Sequence, residues 1–205
     1  MFDVNVGNGL ELVEADDPYS LFGTWMEAAK ASEVNDPNAM ALATATPNGR
    51  PSVRIVLLKR YDENGFAFYT NGESRKGHEL RENKFAALCL HWKSLRRQVR
   101  VEGTIAELPP EDADAYFRGR PRMSQIGAWA SQQSRPLESR EELLTRTEEF
   151  EEKFPNEVPR PPNWTGFAVK AKRIEFWQER DFRLHDRIVF ERSDGGLWTK
   201  QRLYP

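Results

Sequence analysis

Four groups of basic, hydroxyl and aromatic residues carry most of the chemistry this chain could do. The first is Asn71-Gly72-Glu73-Ser74-Arg75-Lys76, read as a strand end running into a helix. Ser74 can cap that helix, and the free N–H groups of a helix start favour an anion. Arg75 and Lys76 in the first turn oppose the helix dipole unless something negative binds beside them, which points to a phosphate. The bland alternative is a capped helix with two solvated cations. The second group lies in Val53-Arg54-Ile55-Val56-Leu57-Leu58-Lys59-Arg60, where Arg54 sits among apolar residues and would be costly unpaired. Strand parity puts Arg54 and Lys59 on opposite faces. Both reach one ligand only if the strand bulges or Lys59 lies past its regular end; otherwise this is an edge strand with two snorkelling side chains.

The third group is Tyr116-Phe117-Arg118-Gly119-Arg120-Pro121-Arg122-Met123-Ser124. Hydroxyls interleaved with arginines suit phosphate oxygens, and Arg can bind two at once. Tyr116, Arg120 and Ser124 share one helical face if the helix survives Pro121; otherwise they are a polar helix end. The fourth is Ile174-Glu175-Phe176-Trp177-Gln178, followed after four residues by Arg183-Leu184-His185-Asp186-Arg187. In an extended chain Arg183, His185 and Arg187 share a face, with Leu184 on the other. Such a row repels itself unless it frames an anionic or electron-rich ligand, and Trp177 could close over an aromatic ring. His78 and His91 are isolated, no Cys/His set has zinc spacing, and no Gly-x-Ser-x-Gly elbow occurs, so no metal site is expected. Two phosphate clusters and an aromatic, cationic site suggest a phosphorylated aromatic cofactor with a phosphorylated substrate.

The elements that must position these groups are mostly strands. A helix is expected over 18–34, with Asp17 as N-cap, Pro18 at its first position and Leu21, Phe22, Trp25, Met26 and Ala29 at helical spacing. Strands over 39–46, 52–61 and 66–71, joined at Asn48-Gly49 and at 62–65, read as an antiparallel meander. A short helix from Ser74 to about 83, strands over 85–92 and 98–108, and helices over 110–118, 124–131 and 139–154 follow. The last carries many glutamates and a thin apolar stripe, so it belongs on a surface. After a proline-rich loop over 155–162, strands return over 166–177, 186–192 and 197–203. Seven or eight antiparallel strands with inserted helices predict a mainly β protein, a barrel with added helices. No Gly-x-Gly-x-x-Gly follows a strand, which disfavours a doubly wound nucleotide fold.

The chain has 205 residues and a net charge of −2, so no global basic field draws it to nucleic acid. Residues 18–205 are expected to form one domain after a flexible segment over 1–17. That segment holds five acidic residues and no Lys or Arg, unlike a signal or transit peptide. No apolar stretch nears the roughly 20 residues that cross a bilayer. The single cysteine, Cys89, sits in an apolar run and reads as a buried structural thiol, which agrees with a reducing compartment. A cytoplasmic protein is expected.

Taken together, these motifs resemble the pyridoxine/pyridoxamine 5'-phosphate oxidases. The C-terminal group matches that family's signature at every position. Arg54-Ile55-Val56-Leu57-Leu58-Lys59, Phe68-Tyr69-Thr70-Asn71, Ser74-Arg75-Lys76, Arg97-Gln98-Val99 and Ser124-Gln125-Ile126-Gly127-Ala128-Trp129 resemble its other blocks in the same order, from about Asp17 to Pro205. The resemblance implies an FMN-binding split β-barrel with two active sites at a homodimer interface. By matched position, Arg54, Ile55, Val56, Leu57, Leu58, Lys59, Tyr69, Thr70, Arg75, Lys76 and Gln98 would bind FMN, and the partner would add Gln133, Ser134, Trp177 and Arg187. Lys59, Tyr116, Arg120 and Ser124 would hold the substrate phosphate. Arg183 and His185 would lie against the pyridine ring as the catalytic pair, with Asp36 nearby. The implied reaction takes a hydride from the substrate's 4'-carbon to the flavin; oxygen then accepts the electrons, giving peroxide, and the amine substrate also loses ammonia. The protein's part is orientation and charge placement. Members often carry an Arg-x-x-Tyr near the N-terminus, whereas residues 1–17 hold neither an Arg nor a Tyr. That departure leaves two further readings, a related flavin oxidase of phenazine precursors and a flavin-binding protein without turnover.

Overall fold

The computed structural model describes residues 15–205, so the expected flexible segment lies largely outside the described residues. Its last residues are held in place. Ala15 is buried, and Lys200 donates to the Ala15 carbonyl (2.8 Å) and to Asp16 Oδ1 (3.0 Å). The first helix, α1 (Pro18–Ser32), starts as its sequence dictates, with Asp17 Oδ2 accepting from the Ser20 N–H at 2.7 Å and Pro18 in the first turn. Leu21, Phe22, Trp25, Met26 and Ala29 are all buried on its inner face.

The chain continues through β1 (Ala39–Ala45), β2 (Pro51–Leu57), β3 (Arg60–Asp62), β4 (Gly65–Asn71), α2 (Arg75–Glu82), β5 (Phe85–Trp92) and β6 (Arg97–Glu107). It then forms α3 (Pro110–Arg118), α4 (Arg122–Ala130), α5 (Arg140–Lys153), β7 (Trp164–Gln178), a 3-10 turn (Asp181–Arg183), β8 (Asp186–Arg192) and β9 (Trp198–Arg202). The strands form one antiparallel sheet in the order β2-β1-β5-β6-β7-β4-β3, which does not close. β7 is where it divides. One edge of this 15-residue strand pairs with β6 along nearly its whole length, while the other pairs with β4 at its start and β8 at its end. β6 and β7 run so close at the bulge after Glu102 that a Cβ on Gly103 would lie 2.0 Å from the Lys170 carbonyl oxygen.

The expected meander is corrected here. The strand foreseen over 52–61 stops at Leu57, and β4 pairs with β3 and β7 rather than with β2. The break follows from hydrogen bonding: the Leu58 N–H turns to the Asn38 carbonyl and the Lys59 N–H to the Ala67 carbonyl, both at 2.9 Å.

Inward residues of the sheet and the inner face of α1 form the main core, rich in Phe22, Trp25, Phe66, Trp92 and Phe176. A satellite core of Phe117, Ile126 and Val158 lies under α3 and α4, edged by Trp129, Phe150, Phe154 and Trp164. α5 buries no residue, as its composition predicts. The outer face of the sheet is unusually apolar at β2, where Val53 and Ile55 are 68% and 65% exposed. Cys89 corrects its expectation: it is half-buried on that outer face, opposite Ala41 and Arg100.

Candidate active site

The first basic group assembles around the start of α2. Ser74 caps the helix, its Oγ accepting from the Gly77 N–H at 3.4 Å and donating to the Asn71 carbonyl at 2.6 Å. Only glycine fits at position 77, because a Cβ there would lie 2.2 Å from the Gly72 carbonyl oxygen. Lys76 Nζ turns back over the cap and donates to Gln133 Oε1 (2.6 Å), Thr70 Oγ1 (3.2 Å) and Ser74 Oγ (3.2 Å). These partners are neutral. Burial, together with the nearby Arg54 charge, pulls the Lys76 ammonium down to about 8.

Arg54 reaches the same place from β2. Its Nη1 donates to Thr44 Oγ1 (2.5 Å) and the Leu42 carbonyl (3.2 Å), and its Nη2 donates to Ser52 Oγ (2.6 Å) and Glu79 Oε2 (3.2 Å). Arg75 Nε donates to Glu79 Oε1 at 2.9 Å. The neighbours of Arg54 in the matched run do not converge with it. Ile55 and Leu57 face outward, Val56 inward, and Leu58 is buried, so of that run only Arg54 brings its side chain to Lys76.

Lys59 indeed lies past the regular end of β2, and it joins the second phosphate group instead. Its Nζ stands 5.6 Å from the Tyr116 ring centroid, and that ring stacks on Tyr69 at 4.1 Å and 6°. The helix does not survive Pro121, so Tyr116, Arg120 and Ser124 share no single helical face: α3 ends at Arg118 and α4 starts after Pro121. Arg120 and Ser124 still line one cleft of about 320 Å³ with Asn71, Gln133 and Trp164. The Arg120 guanidinium lies 4.1 Å from the Trp164 ring centroid, and its buried Nη1 has no hydrogen-bond partner. Burial also lowers its pKa. A buried donor without a partner is costly, and an anionic oxygen held at Arg120 in the cleft would supply one.

The third group gathers at the far end of β7. Gln98, Trp177 and Arg187 are direct cross-strand neighbours on the outer face of the sheet. Arg187 donates through Nε to Glu175 Oε1 (2.9 Å) and through Nη1 to the Tyr204 carbonyl (2.9 Å). The His185 ring lies 4.7 Å from Trp177, and its Nδ1 accepts from the Arg180 N–H at 3.1 Å. The extended alternation expected for Arg183, His185 and Arg187 is not found. Phe182 and Arg183 take left-handed backbone angles (φ 56° and 62°) in the 3-10 turn, and only Arg187 lies in a strand. Arg183 and His185 nonetheless line one cleft with Trp177, of about 470 Å³.

Two candidate residues stand apart. Asp36 occupies an exposed turn with φ 43°, and Ser134 an exposed loop with φ 72°. Gln133, expected from a partner subunit, already meets Lys76 and Thr70 of its own chain. Sequence reasoning missed Glu79, Glu175, and Trp164 as the shelf under Arg120. Buried acids on a helix and a strand carry no sequence signal of their own.

In one chain the clefts are far apart. Arg120 stacks on Trp164 at the start of β7, while His185 packs on Trp177 near its end. At roughly 3.3 Å per residue, the strand between those tryptophans spans about 40 Å.

Comparison with known proteins was made with this geometry in hand. A family model described as pyridoxamine 5'-phosphate oxidase matches residues 26–178, and one described as the pyridoxine 5'-phosphate oxidase C-terminal dimerisation region matches 164–205. The chain is 57% identical over 196 residues to a pyridoxine/pyridoxamine 5'-phosphate oxidase of Chelativorans sp., covering 95% of this chain and 94% of the relative. It is 59% identical to a protein of the same name in Rhodospirillum rubrum, covering 94% and 98%. Among solved structures, PhzG from Burkholderia lata in complex with tetrahydrophenazine-1-carboxylic acid superposes with a TM-score of 0.88 at 33% identity, covering 94% of each chain. An FMN-binding protein from Nostoc punctiforme shares the fold at TM-score 0.76 and 18% identity, covering 93% of this chain and 100% of that one.

Proposed function

This chain belongs to the pyridoxine/pyridoxamine 5'-phosphate oxidase family, and on that premise we propose that it oxidises pyridoxine or pyridoxamine 5'-phosphate to pyridoxal 5'-phosphate. The proposed cofactor is FMN, the electron acceptor oxygen, and the working form a homodimer. The observation that carries this reading is the pairing of a cationic cluster around Lys76 with the cleft that Arg120 lines, the two joined at Gln133. One suits the cofactor's phosphate and the other the substrate's.

The residues present fit such a cofactor. Lys76 is a half-buried cation with only neutral hydrogen-bond partners, beside Arg54 and in the first turn of α2. Lys76, Arg54, Arg75 and Thr70 would hold the flavin phosphate. Bound FMN would supply the hydride acceptor and pass the electrons to oxygen. Arg120, Ser124, Tyr116 and Lys59 would grip the substrate phosphate, fixing the distance from that anchor to the ring. Positioning of this kind can be worth several kcal/mol of the barrier. Arg183 and His185 would hold the pyridine ring, with Trp177 beside them against the flavin. With Nδ1 accepting from the Arg180 N–H, neutral His185 carries its proton on Nε2 and can donate to a ring oxygen.

The ring-holding cleft lies about 40 Å of strand from the phosphate-gripping one, too far for one pyridine phosphate to touch both within a chain. A second copy could bring its own Trp177–His185 end to this chain's Arg120. The match of residues 164–205 to a dimerisation region and the exposed Val53 and Ile55 support that arrangement. No helix among the described residues is long and apolar enough to cross a membrane.

The similarity to PhzG favours a second reading, oxidation of a reduced phenazine precursor. The open donor on Arg120 argues against it, since a substrate without phosphate leaves that donor unused. Purified protein given pyridoxine 5'-phosphate and oxygen should release peroxide in step with pyridoxal 5'-phosphate. Peroxide from a dihydrophenazine acid but from neither vitamer phosphate would overturn the assignment in favour of the second reading.

A further inference from the structure

We propose that Glu79 is the positioning residue of the flavin-phosphate site, a buried carboxylate that fixes Arg54 and Arg75 before the phosphate arrives. The proposal rests on the FMN reading given above. Glu79 is 3% exposed and lines none of the clefts, so its effect must pass through the residues it holds.

Those residues come from three elements. Glu79 Oε2 accepts from Thr44 Oγ1 (2.5 Å) on β1 and from Ser52 Oγ (2.6 Å) and Arg54 Nη2 (3.2 Å) on β2. Its Oε1 accepts from Arg75 Nε (2.9 Å), one turn back on α2. Burial alone would raise the carboxyl's pKa, but the bonds from Ser52, Thr44, Arg75 and Arg54 outweigh it and hold the group at about 2. It is therefore ionised at any pH where the protein works.

Two guanidinium groups drawn to one small site repel each other, and the carboxylate between them removes that repulsion. It also does their ordering in advance. A long side chain immobilised only when ligand binds lowers affinity, whereas one locked during folding does not. Arg54 is locked by four acceptors, two of which (Thr44 and Ser52) themselves donate to a third, Glu79. Charge balance fits as well. Arg54, Arg75 and Lys76 against the single Glu79 charge leave two positive charges, the complement of a phosphate monoester near its dianion.

Glu79→Gln tests this, because it keeps the shape, removes the charge and turns an amide donor toward groups that already donate. The full-length chain is loaded with FMN or with riboflavin, which lacks the phosphate, and the fluorescence regained on dilution gives each Kd. The parent should bind FMN far more tightly than riboflavin. E79Q should weaken FMN by about 10-fold or more, the loss expected for disturbed charged hydrogen bonds, and change riboflavin by less than about twofold. Glu79→Asp, which keeps the charge but draws it back from Arg75, should fall between them. Equal loss for both flavins, or failure of both variants to fold, would mark Glu79 as structural and overturn the proposal. An E79Q protein that keeps the parent's preference for FMN would overturn it too. A parent that does not distinguish the two flavins would instead refute the FMN-phosphate reading itself.

Discussion

Replacing Arg120 by Ala separates substrate binding from stability. The guanidinium carbon lies 4.1 Å from the Trp164 ring centroid and 5.6 Å from that of Phe117, with one buried nitrogen unpartnered. In the ligand-free protein the substitution removes a cation–π stack of about 0.5–2 kcal/mol. It also removes an unsatisfied buried donor that costs about 1–3 kcal/mol. The two nearly cancel, so the melting temperature should move by no more than a few degrees. With substrate bound, the loss is one charge-assisted hydrogen bond of about 1.5–3 kcal/mol, or about 10- to 150-fold in KM. Arg120→Lys keeps the charge but not the planar stack and should fall between. Steady-state peroxide release against pyridoxine 5'-phosphate concentration reads KM, and absorbance at the flavin band reads cofactor content. An unchanged KM would refute the substrate-phosphate role, and flavin lost in parallel would refute the division into two clefts.

Lys76 should make FMN binding pH-dependent. Its free-state value of about 8 means that affinity falls as pH rises past that point and the ammonium is lost, and Lys76→Met should flatten that limb of a Kd titration. The same depressed value predicts that the flavin-free protein gains stability between pH 8 and the ordinary lysine range, since charging buried Lys76 opposes folding; denaturant titrations at both pH values check this. Mixing Arg120→Ala and His185→Asn proteins under subunit exchange should restore about a quarter of parental activity, because half the dimers carry one intact site of two. No recovery would place both residues in a site built from one chain. Glu175, 2% exposed beneath Arg100, Arg173 and Arg187, should be costly to neutralise. Glu175→Gln should destabilise by about 3 kcal/mol in urea titrations, the usual scale for a buried ion pair broken on one side.

Much of the scaffold was legible because local signals agreed with it. Asp17-Pro18 opens α1, and Ser74 and Ser139 cap α2 and α5. Asn48-Gly49 turns β1 into β2, with Gly49 at φ 84°. What failed depended on distant partners. Nothing in the run through Lys59 shows that Asn38 and Ala67 take the next two N–H groups, so alternation alone predicts too long a strand and the wrong neighbour for β4. Regular alternation over Arg183, His185 and Arg187 suggested a strand, but the loop there carries two left-handed residues that no glycine announces. The basic residues of the site were visible as types in sequence. The roles of the acids that hold them were not: Glu175 stands in the fourth motif with no partner assigned, and Glu79, one among 32 Asp and Glu residues, becomes distinctive only when the fold buries it.

β7 has a consequence for how this protein can vary. Its two ends hold the shelf for Arg120 and the wall beside His185, so on the dimeric reading proposed above its length would act as a ruler between chemical stations in two neighbouring subunits. Removing two residues from its middle would keep every remaining side chain on its proper face and leave inward residues inward. The ruler would nonetheless be shortened by about 6.6 Å, more than hydrogen bonding at either station could tolerate. Length variation should therefore collect in turns such as 193–196, which close on their own hydrogen bonds and join β8 to β9. Within β7, composition is freer to drift than length.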